Sequence, residues 1–340
     1  MNNSLVLSEA TSVIDKIENF NDRDQNPYDE ISKIILNKDI KNVVTVARGT
    51  SDCAALFCSY LFAKSLGLIT FSLPPSLITL ENCRFDFSNT LVIVISQSGL
   101  SEDLIQCENA SRKMGAKTMI LTNNMNSPMI KNANFVFNIN AGMERSIAAT
   151  KTFVLSLLNI VKLVAIIKND KKIIQNIFNL SDHLNNEFKN HWNPKIINKD
   201  VSNGFIISRG LGHALSTEIS LKFKEICQEQ IEPFSSAEVM HGPKSLIQNS
   251  FKLFTISLDD PSGKSVLNDS KKLLQITDKV YSIGSKSNEI ANLSYVSLNS
   301  PELDSILIMC KFYPWIIKYS KLKKLDPDNP RYLTKITHTL

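Results

Sequence analysis

The composition of this 340-residue chain is that of a globular protein long enough for two domains. Hydrophobic residues make up 43% of the chain and charged residues 21%, which excludes a disordered polymer. The 38 basic and 33 acidic residues leave a formal charge of only +5. This excess is spread along the chain and disfavours a nucleic-acid partner.

The N-terminus and the cysteines indicate a cytoplasmic protein. Met1 to Ala10 lacks a basic region followed by a long apolar core, so we expect no signal peptide. The six cysteines form no C-x-x-C pair and lie mostly in apolar stretches, which indicates buried thiols in a reducing compartment. The longest apolar stretch, 153–167, is interrupted by polar residues and predicts a buried helix rather than a membrane span.

Strand-like and helix-like segments alternate along most of the chain, which predicts parallel sheets covered by helices on both faces. We predict a helical segment over 1–40, a first domain over 41–190, a second domain over 191–325 and an extended tail over 326–340. A long helical stretch from Ser146 to Lys189 precedes a boundary near Trp192 and Pro194. The strands predicted in the first domain are 42–47, 68–72, 90–95, 117–122 and 134–139.

The two halves of the chain repeat weakly. The segment from Val44 to Gly49 resembles the segment from Phe205 to Gly210. In each half, an apolar strand ending in serine follows the arginine of this segment at the same spacing, at Ser96 and at Ser257. This shared register predicts a duplicated α/β fold.

The run Ser96-Gln97-Ser98-Gly99-Leu100-Ser101 lies where the third strand turns into a helix predicted over 102–114. Backbone N–H groups at a helix N-terminus favour an anion, and serine hydroxyls add donors without charge. The run therefore predicts a phosphate site, although a simple turn capped by Ser101 gives the same pattern. In the second half, Asp259 and Asp260 occupy the equivalent loop and would repel a phosphate.

Two further segments combine small and polar residues where a helix begins. Thr50 and Ser51 follow the first strand, where open α/β sheets bind ligands, but Ser51 could equally cap a helix over 54–66. The segment 144–151 follows Gly142 and could bring Thr150 or Lys151 into a crevice. Its alternative is a helix start capped by Ser146.

Glu218, Lys222 and Glu225 share one helix face in the second half, because residues three and four apart lie side by side. A solvated ion pair is the simpler interpretation. However, the same helix carries many apolar residues and should be largely buried, so a carboxylate held near a lysine is a candidate base.

His241 precedes Gly242-Pro243, a rigid turn that would hold the imidazole at a bend, although a lone histidine is more often structural. The tail from Asp326 to Lys335 contains two prolines and no amphipathic period. It is predicted to be extended, with disorder as the alternative.

Taken together, these motifs resemble the double SIS (sugar isomerase) domain family, and the resemblance covers nearly the whole chain. Within that family the chain is similar to the isomerase half of the glutamine–fructose-6-phosphate transaminases and, more closely in style, to the type II glucosamine-6-phosphate deaminases. We expect no glutaminase domain before the first half, and therefore no in-chain release of ammonia from glutamine. The matching motifs are 48–51, 96–101, 148–151, 218–225, 241–243 and the tail with Pro330, Arg331 and Lys335.

The resemblance implies two tandem SIS domains, each a three-layer α/β/α unit with a parallel sheet, and a C-terminal tail that completes the active site. It implies Glu225 as the base that moves a proton between C1 and C2, His241 as the ring-opening group reaching the partner's site, and Lys335 as a tail lysine touching the sugar. Ala149 stands where the transaminases usually have serine. The implied substrate contacts are Thr50, Ser51, Ser96, Gln97, Ser98, Ser101, Ala148 and Lys222.

The expected activity is conversion of glucosamine 6-phosphate to fructose 6-phosphate and ammonia, with no metal or other cofactor. The expected partners are a phosphosugar and a second copy in a homodimer with shared active sites, without nucleic acid or membrane. A fructosamine-6-phosphate deglycase and a transaminase-like aminosugar-phosphate isomerase are the enzymatic alternatives, and galactosamine 6-phosphate stays open as a substrate. A sugar-sensing regulator is disfavoured because the first forty residues are acidic and asparagine-rich.

Overall fold

The computed structural model describes residues 4–20, 25–248 and 251–335 as two compact units, each built on one five-stranded parallel sheet. The first-sheet unit comprises 15–144, 151–179 and the segment from Thr334. The second-sheet unit comprises the N-terminal residues up to Ile14, the segment 145–150 and 180–333. The functional domain boundaries near 40, 190 and 325 stay a prediction.

The predicted strands of the first half are confirmed to within one residue at each end. The ten strands are β1 (Asn42–Val46), β2 (Ile69–Ser72), β3 (Thr90–Ser96), β4 (Lys117–Thr122), β5 (Phe135–Asn138), β6 (Asn203–Ser208), β7 (Gln230–Ser235), β8 (Lys252–Ser257), β9 (Val280–Ser285) and β10 (Leu293–Tyr295) within the described residues. β3 is buried at every position, as expected for a parallel strand covered on both faces.

Helices cover the sheets and include the long apolar one predicted after residue 146. Among the described residues they are α1 (Leu5–Thr11), α2 (Val13–Glu18), α3 (Asn26–Leu36), α4 (Thr50–Leu66), α5 (Ser76–Thr79), α6 (Glu102–Lys113), α7 (Lys151–Ile167), α8 (Lys171–Phe178), α9 (Leu180–Glu187), α10 (Leu211–Cys227), α11 (Ser236–His241), α12 (Pro261–Leu273) and α13 (Pro301–Leu322). None of these helices is long and apolar enough to cross a membrane.

The two sheets have the same topology, which confirms the duplicated α/β fold. The strand order is β2-β1-β3-β4-β5 in one and β7-β6-β8-β9-β10 in the other, with every pair parallel. The repeat extends to the turn after the first strand of each half. Gly49 (φ 55°, ψ −132°) and Gly210 (φ 58°, ψ −135°) precede helices of 17 residues, and both helices end at a left-handed residue.

Each unit has its own apolar core beside its sheet. In the first-sheet unit, valines of β1 and β3 pack with Leu104 of α6 and Met129. In the second-sheet unit, Phe205 and Ile207 of β6 pack with Leu253 of β8 and Leu273 of α12. The core of the first-sheet unit holds β1 and β3 in place, and the candidate residues Thr50, Ser51 and 96–101 lie at the carboxyl ends of these strands.

Candidate active-site residues

The serine loop, residues 96–101, connects β3 to α6 in the first-sheet unit. Gly99 has φ 63°, a conformation that glycine adopts without strain. The Ser96 hydroxyl accepts the Gly99 N–H at 3.1 Å, and the Ser98 hydroxyl accepts the Leu100 N–H at 3.2 Å. A serine hydroxyl that accepts in this way keeps its own O–H to donate, so both side chains remain able to donate to an anion.

Ser101 occupies the N-cap position of α6, but its side chain makes no capping hydrogen bond to the helix. This arrangement differs from the simple turn capped by Ser101 that the sequence left open. Gln97, Ser98 and Ser101 are half-buried at the surface of the loop, whereas Ser96 is buried. The start of the 12-residue helix α6 thus has donors around it, and Arg48 pairs with Asp103, one of the two carboxylates in its first turn.

Thr50 and Ser51 lie at the start of α4, after β1, the strand that pairs with β3. The helix begins at Thr50 with Gly49 as its N-cap, so a role for Ser51 as the cap of a helix starting at residue 54 is wrong. The positive φ of Gly49 turns the chain into the helix at Thr50, four residues before the predicted start at residue 54. Ser51 therefore lies in the first turn of α4, and Gly49 is the N-cap. This turn follows β1, which pairs with β3, the strand that leads into the serine loop.

Arg48 adds a cation that sequence reasoning did not assign. Its Nε donates to Asp103 Oδ2 at 2.9 Å in the first turn of α6, and its side chain is 47% exposed. The equivalent arginine of the other half, Arg209, donates to Ser265 Oγ at 2.6 Å on α12. The repeat between the two halves is the sequence signal that could have identified Arg48. Each arginine bonds the end of the first strand of its half to the helix that follows the third strand.

The segment before α7 differs from the interpretation in which Ser146 caps a helix. The helix starts at Lys151, and Glu144 accepts the N–H (3.3 Å) and the hydroxyl (2.6 Å) of Thr152. In the second-sheet unit, Ser146 donates its hydroxyl and N–H to Glu9 of α1 instead. Ala148 is buried in this irregular segment.

Lys335, the tail lysine, belongs to the first-sheet unit and lies beside Glu144. Its Nζ is 3.9 Å from Glu144 Oε2, and its side chain is 28% exposed while that of Glu144 is buried. Glu144 also accepts hydrogen bonds from Thr152 at the start of α7, so this carboxylate links the tail lysine to a fixed helix end. A half-exposed amine held in this way can reach a ligand in front of it.

In the second-sheet unit, α10 confirms the predicted adjacency of Glu218, Lys222 and Glu225. Lys222 Nζ contacts Glu225 Oε2 at 2.6 Å and Glu218 Oε1 at 3.2 Å, and Tyr313 of α13 donates its hydroxyl to Glu218 Oε1 at 2.9 Å. Lys222 and Glu218 are fully buried, whereas the Glu225 side chain is 21% exposed. Glu225 is thus the carboxylate of this cluster that reaches solvent.

Burial sets the electrostatics of the cluster. Desolvation raises the pKa of Glu218 to about 7, although Lys222 beside it acts in the opposite direction. Glu218 therefore holds its proton over a range in which ordinary carboxylates are ionised. Lys222 also pairs with Glu225, whose carboxylate reaches solvent and can therefore meet a bound molecule.

His241 is the last residue of α11 and is exposed. The cap residue Gly242 and the 3₁₀ turn at Pro243–Leu246 follow it, as the sequence predicted for an imidazole at a bend. The exposed ring is free of the apolar core and can meet a ligand or a second chain.

Comparisons with known proteins agree with this fold. Residues 37–166 match the family model of the SIS domain. The chain is 28% identical over 323 residues to a glutamine–fructose-6-phosphate aminotransferase (isomerizing) of Methanothermobacter thermautotrophicus, covering 91% of this chain and 53% of that protein. It thus spans about half the length of the curated relatives it matches.

Two solved structures are similar over almost the whole chain. A Silicibacter pomeroyi protein provisionally described as a phosphosugar isomerase is 26% identical with a TM-score of 0.85, covering 96% of this chain and 100% of that one. Glucosamine-6-phosphate deaminase of Thermotoga maritima shares the fold at 17% identity, with a TM-score of 0.75 and coverage of 99% and 100%.

Proposed function

We propose that this chain, a member of the SIS domain family whose fold it carries twice, is a glucosamine-6-phosphate deaminase that releases fructose 6-phosphate and ammonia. The observation that carries the proposal is the α10 cluster, in which buried Lys222 holds the solvent-reaching carboxylate of Glu225. A base presented in this way can move a proton between neighbouring carbons of a sugar. The serine loop supplies neutral donors for the phosphate.

The reaction begins with the opening of the sugar ring, which we assign to His241. Glu225 then removes the proton from C2 of the open-chain aldehyde and delivers a proton to C1. The C1 oxygen gains a proton and the C2 amino group loses one, so the product of this shift is an imine at C2 with a hydroxymethyl group at C1. Water adds to the imine carbon and the C2–N bond breaks, so glucosamine 6-phosphate and water give fructose 6-phosphate and ammonia.

We assign the remaining residues as ligands of the sugar and its phosphate. Lys335 contacts the sugar, and the segment containing Ala148 lines it. Lys222, which the resemblance implies as a sugar contact, is fully buried and instead holds Glu225. The phosphate contacts are Thr50, Ser51, Ser96, Gln97, Ser98 and Ser101. His241 reaches the site of a second copy of the chain, so the active form is a homodimer.

The proposal is tested by measuring ammonia and fructose 6-phosphate released from purified protein. Glu225→Gln keeps the size of the side chain but removes its basicity, and we expect kcat to fall by about 10²–10⁴-fold. Glu238→Gln, at an exposed position on α11, is the matched control and should keep the rate. Full activity of Glu225→Gln would exclude this mechanism, and turnover confined to N-substituted fructosamine 6-phosphates would replace the deaminase with a deglycase.

The shared site is tested by mixing two inactive variants. Glu225→Gln and His241→Asn each lack one contribution, so heterodimers formed after mixing and subunit exchange would regain one intact site. We expect activity to appear in the mixture and not in either variant alone. If the mixture stays inactive although exchange is demonstrated, His241 does not act across a dimer.

A second candidate is an aminosugar-phosphate isomerase that works in the direction of synthesis. The observation that favours it is the 28% identity to a glutamine–fructose-6-phosphate aminotransferase over 91% of this chain. The same base and the same imine would serve this direction. Incubation with fructose 6-phosphate and ammonium, followed by detection of glucosamine 6-phosphate, distinguishes which direction the protein catalyses faster.

A further inference from the structure

The loop that follows β4, residues 123–127, packs against the serine loop and donates hydrogen bonds to its carbonyl oxygens. The Asn123 N–H donates to Gln97 O at 3.2 Å. The Asn124 side-chain amide donates to Ser98 O at 3.0 Å, and the Ser127 hydroxyl donates to Gly99 O at 2.5 Å. Three successive carbonyls of the serine loop are thus bonded to one neighbouring loop.

These hydrogen bonds determine which polar groups the serine loop can present to an anion. A carbonyl oxygen facing a phosphate would repel it, because both groups carry negative charge on oxygen. The carbonyl oxygens of Gln97, Ser98 and Gly99 point towards the 123–127 loop because they are bonded to it. They therefore point away from the other side of the serine loop, where a phosphate would bind. The Ser96 and Ser98 hydroxyls each accept one backbone N–H group and keep their O–H to donate elsewhere.

Asn124 and Ser127 are themselves held in place. Asn124 Oδ1 accepts the Asn126 N–H at 3.0 Å, and the Asn124 N–H donates to Thr122 Oγ1 at 3.3 Å. Ser127 is buried, and its Oγ accepts the Met129 N–H at 3.0 Å at the start of a 3₁₀ turn. Each side chain therefore offers its donor to the serine loop from a fixed position, which is the condition for preorganisation.

We propose that Asn124 and Ser127 are positioning residues that hold the serine loop in its anion-binding conformation and thereby determine affinity for the phosphate group of the substrate. The proposal rests on the phosphate-binding part of the proposed function and on no later step of the reaction. Neither side chain contacts the sugar in this scheme, since each acts through a backbone carbonyl of the serine loop.

The test measures fructose 6-phosphate binding by calorimetry, with unphosphorylated fructose as the comparison ligand. Asn124→Ala and Ser127→Ala should each weaken fructose 6-phosphate binding by about tenfold, as expected when one hydrogen bond to the serine loop is lost. Asn126→Ala, at an exposed position of the same loop, should bind as the unmodified protein does. Ser127→Thr, which keeps the hydroxyl, should bind fructose 6-phosphate as the unmodified protein does.

Two further measurements separate positioning from a general loss of structure. Steady-state kinetics should show KM raised about tenfold in Asn124→Ala while kcat stays within about twofold, because the α10 cluster is unchanged. Asn124→Asp keeps the acceptor for Asn126 but loses the donor to Ser98, so it should bind no better than Asn124→Ala. If Ser127→Ala does not fold, both Asn124 variants still carry the test.

The outcomes are distinct. Unmodified protein that does not distinguish fructose 6-phosphate from fructose contradicts the phosphate site itself, and this proposal falls with it. Unmodified protein that binds the phosphate, with Asn124→Ala and Ser127→Ala binding equally well, overturns the positioning role alone.

Discussion

Gly99 has no space for a side chain, and this restricts the serine loop to one shape. A Cβ atom at this position would lie 2.4 Å from Ser127 Oγ and 3.0 Å from Thr122 Oγ1. Its φ of 63° adds a conformational cost for any other residue. The Ser127 hydroxyl cannot yield without losing its bonds to Gly99 O and Met129 N. The glycine and Ser127 therefore depend on each other.

Gly99→Ala tests this dependence. We expect a loss of about 2–3 kcal/mol in the free energy of unfolding, from the left-handed conformation together with the close contact. Gly67→Ala is the matched control, because Gly67 has φ 68° and a Cβ added to it would meet nothing within 4 Å. It should cost only about 1–2 kcal/mol. Equal losses in urea unfolding of the two variants would contradict a role for the Ser127 contact.

The site residues differ in how far the sequence could predict them. The serine loop follows a continuous apolar strand, so its position at the strand end could be deduced from local order. Asn124 and Ser127 lie in an asparagine-rich turn that predicts only a loop. Their bonds to Ser98 and Gly99 depend on the pairing of β3 with β4, a tertiary contact that the local pattern does not contain.

At the scale of the element, helix α1 depends on a residue far along the chain. Asp328 accepts the N–H groups of Leu5 (3.0 Å) and Val6 (2.8 Å) and the hydroxyl of Ser4 (3.1 Å). A carboxylate at a helix N-terminus satisfies free N–H groups and complements the helix dipole. The predicted tail is therefore bonded to α1 at this point.

Asp328→Ala should destabilise the protein by about 1–2 kcal/mol, because the first N–H groups of α1 lose their acceptor. Asp278→Ala, at a position 83% exposed in its side chain, should stay within about 0.5 kcal/mol of the unmodified protein. Urea unfolding gives both values. A change in Asp328→Ala no larger than in Asp278→Ala would mean that water replaces the cap without cost.

Helix starts were harder to predict than the helices themselves. The apolar run from residue 153 predicted a buried helix, and α7 is almost wholly buried. Its first residue could not be deduced from Ser146, because that serine bonds to Glu9 and the side chain of Glu144 satisfies the first turn instead. Likewise, α4 begins at Thr50 because Gly49 takes a positive φ, which could not be deduced from Ser51 as a candidate cap.

At the scale of the molecule, the fold class was predictable because alternation and the repeated arginine segment are properties of the whole sequence. The matched strand orders of the two sheets confirm the duplication. The assignment of short segments to units was not predictable. Helix α1 precedes the first-sheet unit in sequence and residues 145–150 interrupt it, yet both segments belong to the second-sheet unit. Within that unit, Glu9 of α1 accepts the N–H groups of Arg145 and Ser146.

Stability of the whole molecule should depend on pH through Glu218. Burial raises its pKa from 4.5 to about 7, so between these values the folded protein keeps a proton that the unfolded chain has released. Stability therefore falls as pH rises from about 4.5 to about 7 and is constant with respect to this group above that range. Glu218→Gln removes the titration, and the stability of the unmodified protein relative to this variant should decline across the same window.

Urea unfolding of both proteins at a series of pH values measures the difference. Asp304, whose pKa is raised to about 6 mainly by burial, contributes equally to both and cancels. Parallel stability profiles for the unmodified protein and Glu218→Gln would show that Glu218 titrates in its ordinary range.

The paired glycine turns at Gly49 and Gly210 have a consequence for the history of the chain. After a gene duplication, both copies must still fold, but only one must bind the original ligand. The turn geometry is the same in both halves, whereas the loop after the third strand carries serines in one half and Asp259 and Asp260 in the other. Selection for folding therefore acts on the turn, whereas selection for ligand binding acts on the loop. Descendants of a duplicated ancestor could change their ligand while keeping the same sheet.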